Sequence, residues 1–287
     1  MILLNKYLRL LRVHHYVKNI LVLAAAACSG HLMEREKLIP SLVGFAVFCM
    51  ACSAVYIIND IHDIDKDKHH PTKCRRPLAS GEVSVRKAVF LAIVLMLSAM
   101  TLSIFASGLA SVILPATYVI INIAYSSCLK NIPILDIVVL VSGFVIRLFY
   151  GAFMTSTEIS HWLYLCVMAM AFYLALGKRR NELRMHVNSR EVLNFYTESF
   201  LDKNMYVCLA LANVFYALWS VDDKTAVHYN SHYMVLTVPI VLIITMKYSL
   251  DVEKASSGDP AEVLFADKML ALMCTVYLAV MFALLYS

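Results

Sequence analysis

Charge is what this chain has little of. Charged residues make up 16% of its 287 residues, against about 25% in an ordinary soluble domain, and hydrophobic residues make up 61%. That balance excludes a typical soluble enzyme and places the chain in the membrane class. The 8 glycines and 7 prolines form no linker, and no internal repeat or low-complexity tract marks a second domain. Each membrane crossing takes roughly 20 apolar residues, so a single domain over 1–287 absorbs the whole sequence. The first 18 residues are basic and interrupted by charge, so they do not read as a cleavable signal peptide. Cys49 and Cys52 form a CxxC, but it lies in an apolar run without a second pair. Small buried residues at a helix contact fit it better than a metal or redox site. No histidine pair has zinc spacing with further ligands, and a nucleic-acid partner is not expected.

Long apolar runs predict an all-α, polytopic membrane bundle of about nine transmembrane helices. They fall near 17–33, 41–61, 87–105, 108–126, 134–154, 161–177, 204–221, 232–250 and 269–287. Lysine and arginine collect in alternate connections: the N-terminal segment, 62–87, Lys130, and 178–203 including Arg190. The intervening connections 106–108 and 155–160 carry none, and 222–231 carries only Lys224. Because positive loops stay cytoplasmic, the pattern predicts a cytoplasmic-membrane protein with its N-terminus inside and its C-terminus outside.

The remaining charge is concentrated. The second helix runs out in Asn59-Asp60-Ile61-His62-Asp63-Ile64-Asp65-Lys66-Asp67. Asp60, Asp63 and Asp67 follow the three- and four-residue spacing of one helix face, with Asp65 as the solvated member. Like charges where apolar sequence has just ended are costly without a cation. Hard oxygen ligands favour Mg²⁺ or Ca²⁺, and Mg²⁺ commonly joins one or two carboxylates to substrate phosphates. The bland alternative is a solvated helix end. Against it stands the basic segment that follows, from His70 to Gly81, in which Lys73, Arg75 and Arg76 suit phosphate oxygens. On its own that segment would serve as a positive-inside anchor.

Asn-Asp-x-x-Asp-x-x-x-Asp at the end of the second of nine helices resembles the first signature of the UbiA superfamily of intramembrane prenyltransferases. The resemblance covers the whole chain and implies a UbiA-like bundle with Asp60, Asp63 and Asp67 as Mg²⁺ and diphosphate ligands. Tyr125 and Lys130 resemble that family's Tyr and Lys in the next cytoplasmic loop. The chain departs from the family after the sixth helix, where a second aspartate-rich motif is replaced by Gly177-Lys178-Arg179-Arg180-Asn181-Glu182. A basic cluster binds phosphate oxygens directly and cannot hold a second cation.

Further pieces resemble one subgroup, the decaprenyl-phosphate phosphoribosyltransferases. They are Val17-Lys18-Asn19, "HPTK-x-RRP", Asp136, Arg147 and "GKR-x-x-E". A last piece is Asp251-Val252 with Gly258, Pro260, Ala261, Glu262 and Asp267. The bland reading of Asp136 and Arg147 is a buried ion pair or helix-packing polar pair, although an arginine deep in an apolar helix is functional by default. The resemblance implies 5-phosphoribosyl-1-diphosphate as donor, a polyprenyl phosphate as acceptor and Mg²⁺ as cofactor. Asp60, Asp63, Asp67, Lys130 and Arg147 are then the catalytic candidates. Lys18, Asn19, Asn59, Lys73, Arg75, Arg76, Tyr125, Asp136, Lys178, Arg179, Glu182 and Asp251 are the substrate-binding candidates. Two other classes compete: a conventional aromatic or quinone prenyltransferase, and a cation transporter. A transporter needs charged residues near mid-bilayer, whereas these acids lie at a helix end. The oligomeric state is left open, a homo-oligomer included.

Overall fold

The computed structural model describes residues 2–70, 72–185, 191–222, 232–253 and 260–286. Pro71, Arg190, Lys224 and Gly258, used above, lie outside them. Among the described residues every regular element is a helix, and there is no strand. An N-terminal helix α1 (Ile2–Leu11) precedes α2 (Val13–Cys28), and Arg12 turns the chain between them in the left-handed region, φ 53°. Then follow α3 (Arg35–His62), a short α4 (Ile64–Lys68), α5 (Val85–Ser107), α6 (Leu109–Ser127) and α7 (Leu135–Thr155). The last elements are α8 (His161–Arg184), α9 (Glu198–Val221), α10 (Tyr233–Glu253), a short α11 (Pro260–Ala266) and α12 (Lys268–Tyr286).

Eight of these helices are long and apolar enough to cross a membrane, and α2 is shorter. The expected run 17–33 starts earlier than the sequence indicates and ends at Cys28. Its first 11 residues, Val13–Leu23, form a 3₁₀ helix. The 3₁₀ form rises about 2.0 Å per residue against 1.5 Å for an α-helix. The 16 residues of Val13–Cys28 therefore extend about 30 Å, the thickness of a hydrocarbon core. A tighter winding makes up for a short segment.

The chain divides into two compact units. The first comprises residues 1–27, 31–128 and 146–157. Its core is α3, whose Val47, Phe48, Ala51, Cys52 and Val55 pack with Val22, Ala99, Tyr118, Tyr150 and Met154. Small residues along α3, among them Ser41, Gly44 and Ser53, let neighbouring helices approach as membrane helices require. The closest approach is at Gly151 of α7. A Cβ added there would sit 1.8 Å from the Val22 carbonyl oxygen. The second unit comprises residues 28–30, 129–145 and 158–287, with Tyr173, Leu176, Leu201, Met205, Tyr248 and Leu270 at its core. Large apolar side chains point outward on many helices, Phe90, Phe105 and Met246 among them, as lipid-facing surfaces do.

Because backbone occupies the space, Gly151→Ala must push α2 and α7 apart. Overpacking of this kind costs about 1–3 kcal/mol, so the variant should melt several degrees lower in detergent. An unchanged melting temperature would contradict the close approach.

Candidate active site

The acidic motif does not continue as one helix. α3 ends at His62, Asp63 is the junction residue (φ −99°, ψ 9°), and α4 begins at Ile64. The backbone hydrogen bonds from Asp63 N–H to the Asn59 carbonyl at 3.0 Å and from Asp67 N–H to the Asp63 carbonyl at 2.8 Å span the junction. Asp60 and Asp67 are brought together on Arg76, both almost fully buried. One Arg76 nitrogen, Nη1, donates to Asp60 Oδ1 at 3.1 Å and to Asp67 Oδ2 at 2.6 Å. Through that shared donor the two oxygens lie no more than about 5.7 Å apart. Arg12 Nη2 donates to the same Asp60 oxygen while its guanidinium lies 4.8 Å from the Tyr56 ring centroid. Asp65 is 92% exposed beside Lys68.

The loop that delivers Arg76 is pinned locally. His70 Nδ1 accepts the backbone N–H groups of Thr72 and Lys73, each at 3.3 Å. Partial desolvation, with the Lys73 charge second, lowers the His70 pKa, which keeps that nitrogen an acceptor at neutral pH. Arg9 binds the Arg75 carbonyl and the Glu82 carboxylate, while the Arg75 side chain is exposed and those of Lys73 and Lys18 are half-buried. Asn59 accepts from Ser126 Oγ at 2.6 Å, one residue from the half-buried Tyr125.

The donor set suits a hard divalent cation. Asp60 and Asp67 are buried carboxylates already converging on a positive nitrogen, and a Mg²⁺ site commonly needs one or two carboxylates beside substrate phosphates. Among the described residues no three His, Cys, Asp or Glu side chains gather closely enough to hold an ion. The aspartates are thus a converging pair and not a preformed trio.

Arg147 is buried in the same unit. Its Nε donates to Asn19 Oδ1 at 2.8 Å and its Nη2 to Cys52 Sγ at 3.0 Å, with the Tyr118 hydroxyl at 3.4 Å. The Phe48 and Tyr118 rings flank the guanidinium at 5.4 and 4.9 Å, within cation–π range. The CxxC cysteines are buried thiols hydrogen-bonded to Asn19 at 3.3 and 3.5 Å.

The second unit holds the other candidates. Asp136, buried at the start of α7, accepts Arg179 Nε at 2.5 Å and the Tyr196 hydroxyl at 2.6 Å. Arg179 is fully buried and also donates to Glu182 at 2.7 Å. Arg180 Nε donates to Asp202 at 2.5 Å, while its buried Nη1 has no hydrogen-bond partner among the described residues. Two of the three cations in the basic cluster thus face protein carboxylates, and Lys178 is half-buried beside them on α8. Lys130 is half-buried in the 3₁₀ turn Leu129–Asn131. Lys247 bridges Asp251 at 2.6 Å and Asp267 at 2.5 Å. Asp267 in turn caps α12 by accepting the Met269 and Leu270 N–H groups. The Lys247 hydrogen bond, with the Leu270 N–H next, holds the Asp267 pKa at about 2.

Three partners escaped the sequence reading: Arg12, Tyr196 and Lys247. Arg12 looked like one more positive-inside charge. Tyr196 lies 60 residues from Asp136, with no motif to link them. Lys247 lies 20 residues from Asp267 but only four from Asp251, an i,i+4 spacing that could have found it.

The profile described as the UbiA prenyltransferase family matches residues 20–270. The chain belongs to the UbiA prenyltransferase family. It is thereby an integral membrane protein and a transferase. It is 31% identical to a decaprenyl-phosphate phosphoribosyltransferase of Corynebacterium glutamicum, over 94% of this chain and 83% of the relative. It is equally 31% identical to the enzyme of the same name from Mycobacterium tuberculosis, over 94% of this chain and 90% of that one. A solved structure of a UbiA homolog from Archaeoglobus fulgidus, bound to DMAPP and Mg²⁺, has the same fold. The two share a TM-score of 0.72 over 98% of this chain and 99% of that one, at 19% identity.

Tyr196 gives a pH test of the second-unit network. Burial, with the hydrogen bond to Asp136 next, pushes its pKa up to about 12. Below about pH 10, the ordinary tyrosine value, both folded and unfolded chains keep the proton and stability is unaffected. Between about 10 and 12 only the unfolded chain ionises, so stability falls as pH rises through that window. Tyr196→Phe should flatten this alkaline dependence and cost about 1–3 kcal/mol at neutral pH, by leaving Asp136 short of a donor. Thermal melts of both proteins from pH 7 to 11.5 check it.

Proposed function

We propose that the chain is a polyprenyl-phosphate 5-phosphoribosyltransferase, moving phosphoribose from 5-phosphoribosyl-1-diphosphate to a lipid phosphate. The observation that carries this reading is Arg76 binding Asp60 and Asp67 at once. It joins the aspartate motif to the basic "RRP" motif in one buried, charge-balanced cluster. The names of the 31%-identical relatives and the basic replacement of the second aspartate motif support the same substrate pair. One family profile over residues 20–270 supports a single transferase domain.

In this reaction the C1–O bond to diphosphate breaks and a C1–O bond to the lipid phosphate forms. Mg²⁺, held by Asp60 and Asp67 with Asp63 adjacent, would neutralise charge on the departing diphosphate. Arg12 and Arg76 hold the two carboxylates converged, so little rearrangement is needed when phosphate arrives. Lys73 and Arg75, on the same loop as Arg76, add cations for the donor's phosphates. The lipid phosphate is already anionic near neutral pH and attacks C1 without a strong general base, so positioning is its main requirement. Arg147 orders Asn19 and with it the Val17-Lys18-Asn19 segment, where Lys18 supplies a cation. Tyr125, Asn59, Lys130, Asp136, Lys178, Arg179, Glu182 and Asp251 belong to this proposal through the motifs they share with the subgroup. The alternating loop charge supports a cytoplasmic N-terminus and acidic cluster, with the C-terminus outside.

The test is incubation of purified protein with Mg²⁺, radiolabelled phosphoribosyl diphosphate and a polyprenyl phosphate. Labelled lipid is expected. Its absence, together with turnover of a prenyl diphosphate and an aromatic acceptor, would replace this reading with that of a conventional prenyltransferase. Asp60→Asn should abolish product while the protein remains folded in detergent, and a wild-type rate would remove the metal argument. Lys178→Ala should raise the donor KM more than the Mg²⁺ requirement, and an unchanged KM would exclude that role.

A further inference from the structure

A second feature of the first unit lies away from the motif residues. Tyr7 of α1 and Arg86, Lys87, Phe90 and Leu91 of α5 line an open groove of about 350 Å³. None of them belongs to the acidic cluster or its arginine partners.

The groove and the exposed face of α5 that continues from it are chemically distinct. At the mouth of the groove Arg86 and Lys87 are exposed, and neither makes an ion pair or side-chain hydrogen bond among the described residues. Three other cations of this unit are paired: Arg9 is matched by Glu82, Arg12 by Asp60 and Arg76 by Asp60 and Asp67. Along the helix from Arg86 runs an apolar track of Phe90, Ile93 and Leu97, which are 70%, 53% and 62% exposed. Positions 86, 90, 93 and 97 keep the three- and four-residue spacing of one helix face. From Arg86 to Leu97 the track extends about 16 Å, close to half of a roughly 30 Å hydrocarbon core. Two uncompensated cations above an apolar track one leaflet deep match an amphiphile with an anionic head and acyl chains of leaflet length.

We infer that the groove between α1 and the start of α5 binds an anionic glycerophospholipid. The lipid phosphate meets Arg86 and Lys87, and an acyl chain lies along Phe90, Ile93 and Leu97. Basic pockets between membrane helices recognise anionic head groups in this way. A zwitterionic lipid brings its own ammonium group and leaves the two cations unmatched.

Native mass spectrometry of the delipidated full chain, titrated with dioleoyl phosphatidylglycerol or dioleoyl phosphatidylcholine, tests this. The first phosphatidylglycerol should bind several-fold tighter than phosphatidylcholine. R86Q/K87Q should weaken phosphatidylglycerol binding by roughly fivefold for each cation removed, since each basic group near an anionic surface contributes about 1 kcal/mol. Phosphatidylcholine binding should be unchanged. K203Q, at an exposed lysine of α9, should leave both affinities at the wild-type value. If the double variant is unstable, R86Q and K87Q singly carry the same comparison. Equal wild-type affinities for the two lipids, a preference that survives R86Q/K87Q, or an equal loss in K203Q would overturn the assignment. Displacement of bound phosphatidylglycerol by equimolar polyprenyl phosphate would also overturn it, by making the groove an acceptor site.

Discussion

Two carboxylates buried side by side where an apolar helix ends must be matched by positive charge. An unmatched charge in a low-dielectric setting costs several kcal/mol, and a second of the same sign adds repulsion. In this protein the match comes from Arg12 and Arg76, reaching Asp60 from opposite directions in the sequence. Much of the first unit follows from that requirement. The left-handed turn at Arg12 ends α1 beside the acids. Asp67 follows Asp60 two helical turns later, across the junction at Asp63, and the His70 turn pins the loop that carries Arg76. A charge-balanced cluster of this kind can admit a metal-bound diphosphate because the incoming species brings charges of both signs.

The second unit applies the same rule to a different end. Asp136, Arg179, Glu182 and Tyr196 close on one another, as do Lys247, Asp251 and Asp267. These sets resemble ligand-binding charge in sequence, yet each cation in them already has a protein carboxylate. Arg179, fully enclosed, ties the end of α8 to Asp136 at the start of α7. Because each buried charge would be costly if left unmatched, these pairs tie the start of α7 to the end of α8 and to the residues before α9.

The bundle was legible because bilayer thickness dictates helix length, so apolar runs of about 20 residues report spans directly. The eight long spans appear where the runs predict them. The exception is α2, for which periodicity could not reveal that Val13–Leu23 is wound as a 3₁₀ helix and reaches across with fewer residues. The acidic cluster was legible in composition but not in geometry. Spacing placed Asp60, Asp63 and Asp67 on one face, but it could not show that Asp60 and Asp67 converge on a single Arg76 nitrogen. The partners Arg12 and Tyr196 were invisible for another reason: tertiary contacts between residues far apart in sequence leave no local pattern, whereas the i,i+4 pair of Lys247 with Asp251 was a local signal left unread. Gly151 belongs with Arg12 and Tyr196, since nothing near it in sequence announces the Val22 carbonyl it admits.

The central claim is that Asp60 and Asp67, poised around arginine, take up a divalent cation together with a diphosphate and not as a free ion. Calorimetric titration of Mg²⁺ into the purified protein, with and without inorganic diphosphate, addresses this most directly, with Asp67→Asn as the comparison. The account predicts weak uptake of Mg²⁺ alone, much tighter uptake with diphosphate, and loss of that enhancement in Asp67→Asn. Equally tight binding of Mg²⁺ without diphosphate, or an enhancement that persists in Asp67→Asn, would contradict it.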